Sequence, residues 1–394
     1  MPEFYKKVLE NNVTVLFEKR QIPVVSLSIS VNNGGEFEHA EEKGISHFIE
    51  HFVFKGTKKR TSEELAKEIE KKGGVLNAST SEEMTSFFAK LPARHFKQGF
   101  DILSDVFLNP AFSKGTFEKE RKVILEEIRM FNDNPMLHVA DKIKSLLYEK
   151  PFSLSIAGDF GTVKGINREQ LIQKYRTCFK HRVIVSAVGK GDFNEICNFA
   201  SKFPKCNRES IAQEVIKLNK EEIEKRKGIN QAHFVFGFHS PRIFEQKRYL
   251  NGLVMMHLAG GMSSILNREI REKRGLAYVV HPEIEAERNY GYSTIYVGTE
   301  KKNLKKVREL ILRGFKNLGK IKKADFEQTK EQMIGLKQIG EEDSLNVMNS
   351  LALEELGDNA EEYYQLEEKI KRLKLEDVKN FKLKGFSSFS LVPE

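Results

Sequence analysis

Two stretches of this chain, about half its length apart, repeat one another, and that repetition constrains the fold more than any other feature. Phe117-Glu118-Lys119-Glu120-Arg121-Lys122-Val123-Ile124-Leu125-Glu126-Glu127 recurs in altered form as Phe326-Glu327-Gln328-Thr329-Lys330-Glu331-Gln332-Met333-Ile334-Gly335-Leu336. Such an internal rhyme implies two copies of one domain, and 394 residues suffice for two domains of about 200 each. In the first copy, alternation predicts strands over 13–17 and 24–31, then a turn at Asn32-Asn33-Gly34-Gly35. A helix over 62–72, capped by Thr61 or Ser62, ends at Gly73-Gly74 before extended segments at 75–80 and 85–90. Long helical patterns cover 93–107 and 114–149, and 182–189 is a buried strand. A charged, helix-prone stretch over 207–227 is the expected connector. The order then restarts: a strand over 232–238, an apolar helix, a hairpin near 278–299 and two more helices.

The chemistry is concentrated in one five-residue segment, His47-Phe48-Ile49-Glu50-His51. On an α-helix, residues four apart share a face, so both imidazoles can reach one metal ion with Glu50 beside them. The H-x-x-E-H order inverts the common H-E-x-x-H zinc motif. A hydrolytic zinc site takes three protein ligands and leaves a fourth position for water, so a third ligand is required from another element. The helix near 117–131 offers Glu120, Glu126 and Glu127. Glu120 and Glu127, seven apart, lie about 20° from alignment, whereas Glu126 points about 100° from Glu127. The pair shares the apolar face of Val123, Ile124 and Ile128, where buried carboxylates need a metal or its histidine shell as partner. In the second copy Thr329 and Leu336 replace Glu120 and Glu127, and Leu253-Val254-Met255-Met256 contains no H-x-x-E-H, so only the first copy is expected to bind metal.

Gly44-Ile45-Ser46-His47-Phe48-Ile49-Glu50-His51-Phe52-Val53-Phe54-Lys55-Gly56-Thr57 resembles the zinc helix of the pitrilysin or insulinase family, especially its small processing-peptidase branch. Asn77-Ala78-x-Thr80, Glu120-Arg121 with Glu127, Gly260-Gly261-Met262-Ser263-Ser264 and Arg271-Glu272-Lys273-Arg274-Gly275-Leu276-Ala277-Tyr278 resemble family segments in the same order, covering essentially the whole chain. The resemblance implies an α+β fold of two homologous domains, each a mostly antiparallel sheet packed with helices. The first spans 1–206 and the second, metal-free, spans 229–394, with a linker at 207–228. It also implies one Zn2+ held by His47, His51 and Glu127, with Glu120 supporting the site. Glu50 is then the base that accepts the proton of the zinc-activated water and returns it to the leaving amine of a cleaved peptide. Asn77 and Ala78 are implied to line a strand edge on which the peptide adds as another strand.

The same resemblance places Arg271 and Tyr278 near the substrate and its developing oxyanion, a task suited to a cation and a phenol. Larger family members enclose substrate between two halves of two modules each. A homodimer is therefore expected, with Arg271 and Tyr278 of one subunit approaching the zinc of the other. Lys150-Pro151-Phe152-Ser153 stands where relatives often have a His-Pro-Leu-Gly-like stretch, and the extended glycine-rich loop is missing beside Ala259-Gly260-Gly261. Oligopeptides are accordingly the expected substrates, rather than organellar presequences. The alternative from another class is a catalytically silent scaffold or peptide-binding subunit.

Sixty-five Lys and Arg against 56 Asp and Glu give a net charge of +9, but the charges are interspersed and no RNA-binding signature is present, so no nucleic-acid partner is expected. Cys178, Cys197 and Cys206 lack C-x-x-C spacing and imply a reducing compartment without a disulfide framework. The amino terminus lacks the basic-then-apolar pattern of a secretory signal, and no run approaches 18 apolar residues, so the expected address is cytoplasmic and off the membrane.

Overall fold

The computed structural model describes residues 2–207 and 213–394, which form two compact units. The first comprises 1–129, 154–213 and 340–364, and the second 130–153, 214–339 and 365–394. Eleven strands occur in chain order among the described residues: β1 Glu3–Val8, β2 Thr14–Lys19, β3 Val24–Val31, β4 Val75–Thr80, β5 Thr85–Pro92 and β6 Val183–Gly189 in the first unit, then β7 Glu221–Arg226, β8 Ala232–His239, β9 Ala277–Ala286, β10 Gly291–Thr299 and β11 Ser387–Pro393 in the second. The helices that matter for the site are α1 Ile45–Val53, α2 Ser62–Glu70, α3 Phe96–Leu108, α4 Lys114–Asp133 and α5 Pro135–Leu147. Later come α6 Phe160–Gly165, α7 Arg168–Thr177, α8 Phe193–Ala200, α9 Lys247–Ala259, α10 Leu304–Asn317, α11 Lys323–Gly340 and α12 Ser344–Leu356.

The first sheet runs β1-β2-β6-β3-β5-β4 and the second β7-β11-β8-β10-β9. Each contains one parallel pair, β2 with β6 and β7 with β11, and is otherwise antiparallel. Setting β7, β8, β9, β10 and β11 against β2, β3, β4, β5 and β6 superimposes the two orders, so the repeat seen in the helices extends through both sheets. Side-chain alternation explains how both faces are covered. Val15 and Phe17 of β2 enter one core with α1, α3 and α4, while Leu16 enters another with Val347, Leu351 and Leu356 from α12. In the second unit Phe234, Phe236 and Phe238 pack with α9 and α10, and Val235 faces Val139, Ile143 and Leu147 of α5.

These packings depart from contiguous domains at 1–206 and 229–394. Helix α5 precedes the expected boundary yet belongs to the second unit, and α12 follows it yet belongs to the first. The single helix expected over 114–149 is two, because Pro135 cannot donate to the helical ladder while Asn134 caps the next helix, its Oδ1 accepting from Met136 N at 3.0 Å. Residues 208–212 of the expected 207–228 linker lie outside the described residues. Within its remainder, Glu221–Arg226 is the edge strand β7 rather than connector or helix. Charges suit an edge, where they discourage pairing with another chain. Among the described residues no helix is long and apolar enough to cross a membrane.

Candidate metal and catalytic site

Helix α1 orients the motif through its apolar stripe. Ile45, Phe48, Ile49, Phe52 and Val53 are all buried at helical spacing in the first core, which turns His47, Glu50 and His51 to the other face. The helix starts at Gly44, whose φ of 98° lies in the left-handed region. Glu38 then accepts from the otherwise orphaned Gly44 and Ser46 N–H groups at 3.0 and 2.7 Å. A Cβ at Gly44 would stand 2.6 Å from the Ala157 carbonyl oxygen. Gly44→Ala is therefore expected to destabilise the fold by about 1–3 kcal/mol in chemical denaturation, and an unchanged midpoint would contradict this origin for the helix.

Helix α4 supplies the opposing carboxylates. Phe117, Ile124 and Ile128 anchor it in the core, and Glu120 shares that buried face. His51 lies between the two glutamates: its Nδ1 is 3.1 Å from Glu120 Oε1 and its Nε2 is 3.1 Å from Glu127 Oε2. His47 Nε2 is 3.6 Å from the same Glu127 oxygen. Glu126 points outward into an exposed pair with Arg129, as helical phase requires. Glu50 is held from β4, where Thr80 Oγ1 donates to its Oε2.

Burial, followed by the neighbouring charge of His51, holds His47 down at about 4 against the pull of Glu127. Burial also acts against His51, but its hydrogen bonds with Glu120 and Glu127 outweigh that and push the imidazolium up to about 9. Burial raises the Glu50 carboxyl despite the Thr80 hydrogen bond. At pH 7 the metal-free protein thus holds His51 as the imidazolium and His47 as the neutral imidazole. A metal takes neutral imidazole, so binding at pH 7 is expected to release about one proton, and affinity should climb with pH until His51 deprotonates near 9. Calorimetry in buffers of differing ionisation enthalpy measures this; zero release would contradict the assignment. The same shift has a sign for the metal-free fold. A raised His51 contributes stability that is complete below its unfolded value of 6.5 and lost as pH rises through about 9.

The donor set fits zinc. His47, His51 and Glu127 each offer one ligand atom, and the three atoms lie within 4.8 Å of one another. Tetrahedral bonds of about 2.0–2.1 Å place donors about 3.4 Å apart, close to the 3.1 and 3.6 Å separations from Glu127. Two imidazoles and one carboxylate would leave a fourth tetrahedral position open, whereas structural zinc sites use four protein ligands. Among the described residues no other such group of His, Cys, Asp or Glu occurs.

A family model described as insulinase, peptidase family M16, matches residues 13–159, and one described as the peptidase M16 inactive domain matches 165–333. An uncharacterized zinc protease of Bacillus subtilis, YmxG, is 31% identical over 336 residues, covering 83% of this chain and 80% of that protein. The chain belongs to peptidase family M16. An uncharacterized zinc protease of Rickettsia felis is 29% identical across 97% of this M16 chain and 95% of its own length. The mouse mitochondrial-processing peptidase subunit beta is 33% identical, but over only 51% of this chain and 41% of that subunit. The crystal structure of a Helicobacter pylori protease matches 100% of both chains with a TM-score of 0.91 at 19% identity, a likeness of fold. A chain of Complex III2 from Candida albicans shares that fold, with a TM-score of 0.83 at 16% identity over 99% of this chain and 95% of its own.

The half that matches the M16 inactive domain keeps a trace of the site that sequence inspection passed over. With His257 set opposite His51, a pairing its contact with Thr329 supports, Leu253 and Met256 stand where His47 and Glu50 do, and Thr329 and Leu336 replace Glu120 and Glu127. His257 Nδ1 still lies 3.4 Å from Thr329 Oγ1, echoing the His51–Glu120 pair. The two histidines are 206 residues apart and the late helices 209, so the ungapped repeat hides the match and only the contact shows it.

The remaining sequence candidates fall in two places. Asn77 and Ala78 lie on β4, the free edge of the first sheet, which packs beside α1. Asn77 is exposed and its Oδ1 accepts from Ala78 N at 2.9 Å, whereas Ala78 is buried. Arg271 and Tyr278 belong to the second unit, with the guanidinium carbon 5.1 Å from the centre of the Tyr278 ring. Tyr278 is 77% exposed, so its phenol is presented to solvent beside the cation.

Proposed function

We propose that this M16 chain is a zinc-dependent endopeptidase for unfolded peptides, with His47, His51 and Glu127 holding one zinc ion and Glu50 serving as the base. The observation that carries the reading is the meeting of three donor atoms within 4.8 Å, from two elements distant in sequence, beside a carboxylate that is not one of them. When bound, zinc supplies the Lewis acidity that makes water nucleophilic near neutral pH and polarises a peptide carbonyl. Glu50 takes the proton of the attacking water on the oxygen that Thr80 leaves free, then delivers it to the leaving amine. Its burial favours that exchange by moving the carboxyl toward the working pH. Glu120 touches His51 rather than the substrate position, so its part is to hold the imidazole.

The edge of β4 is the docking strand for the peptide. Main-chain hydrogen bonds to an edge tolerate varied side chains, which suits a peptidase of broad choice. Asn77, exposed on that edge, then meets the incoming backbone. Mass-spectrometric profiling of a peptide library tests the reading: wild type should yield cleavage products and Glu50→Gln should not, and a library left intact by wild type would contradict it.

The full reading includes a homodimer in which Arg271 and Tyr278 of one subunit serve the zinc site of the other. The exposure of Tyr278 and its contact with the half-buried Arg271 support that role. Mixing inactive Glu50→Gln and Arg271→Ala proteins under subunit exchange should restore activity, because one site in each mixed dimer is intact. Proven exchange without recovery would remove the shared site.

A further inference from the structure

We infer that Lys55 is a positioning residue of the metal site, acting through Glu120 on His51; the inference rests on the zinc reading above. Glu120 divides its two oxygens between partners, Oε1 to His51 Nδ1 at 3.1 Å and Oε2 to Lys55 Nζ at 2.9 Å. The Glu120 side chain is only 6% exposed, so its charge must be met by protein groups rather than by water. In the metal-free protein His51 and Lys55 both meet it. A histidine that ligates a metal is a neutral donor, and then, among the described residues, Lys55 is the protonated side chain left in ion-pair contact with Glu120. With the second oxygen anchored, the first stays aimed at Nδ1–H, which fixes the tautomer whose Nε2 lone pair faces His47 and Glu127.

The surrounding chain holds Lys55 in place. It lies just past the end of α1, with its N–H bonded to the Phe52 carbonyl at 3.1 Å. Beyond it, Gly56 pairs with Thr61, and Thr57 Oγ1 donates to Asp105 at 2.7 Å, fastening the loop to α3. The second unit provides an internal control. With His257 set opposite His51 by its contact with Thr329, Gly261 falls opposite Lys55 and Thr329 opposite Glu120, so the lysine and its carboxylate are absent together where the metal ligands are absent.

The test is zinc affinity of the full-length protein, measured by competition with a chromophoric chelator at one fixed pH. Lys55→Met is expected to weaken zinc by about tenfold, and Lys55→Arg, which restores the cation, to bind close to wild type. In a Glu120→Gln background, Lys55→Met should cause no further loss, because the lysine acts through that carboxylate. Thermal unfolding of the metal-free variants shows that the fold is kept, and Lys55→Gln replaces Lys55→Met if the apolar side chain impairs folding. Wild-type affinity in Lys55→Met, or an equal loss with and without Glu120, would overturn the inference. Wild-type protein that binds no zinc would instead overturn the zinc reading on which it depends.

Discussion

Glu50→Gln should lower the rate of peptide cleavage by about 10²–10⁴-fold while leaving one zinc bound per chain. Glutamine keeps the size of the side chain and an oxygen that can accept from Thr80, but it cannot take a proton from water. Glu50 is outside the ligand trio, so its amide should not disturb metal binding. Initial rates with a mixed peptide pool, read beside metal content, measure both halves of the expectation. Cleavage that persists at the wild-type rate would remove Glu50 as the base even if zinc were present.

The second large effect is expected at Glu127. Its Oε2 lies against both imidazoles, so Glu127→Gln withdraws the carboxylate charge from the proposed zinc position. Zinc affinity should fall by more than the roughly 10–100-fold loss typical of changes behind the ligands, with cleavage falling in step at limiting zinc. Glu126→Gln is the matched control. That residue sits one position away but pairs with Arg129 in solvent, so its stability and affinity effects should stay within about 0.5 kcal/mol. Equal behaviour of the two variants would place the third ligand elsewhere.

The legible part of the site was the part set by periodicity. His47 and His51 could be placed on one face, with Glu50 beside them, because residues four apart stack on a helix, and the phase of α4 separated Glu120 and Glu127 from Glu126. Contacts between elements were not legible in the same way. Thr80 was visible as a motif letter, yet only the proximity of β4 to α1 gives its hydroxyl to Glu50. Lys55 likewise stood within the motif, and its partner lies on α4.

In the fold, the duplication was readable from the two late helices, whereas β1, β7 and β11 were missed. β1 and β7 are charged edge strands with little apolar alternation, and β11 is defined by pairing with β7 and β8, far away in sequence. The exchange of α5 and α12 between units has no local signature beyond the Asn134-Pro135 break, which marks where one helix ends and not which sheet the next one covers.

The central claim is that peptide cleavage by this chain takes place at one zinc ion held by His47, His51 and Glu127. Stripping the protein with a chelator, then titrating zinc back while following peptide cleavage, tests it most directly. The account predicts that cleavage vanishes on stripping and returns in proportion to zinc, reaching its plateau at one ion per chain. Cleavage undiminished in metal-free protein would contradict it.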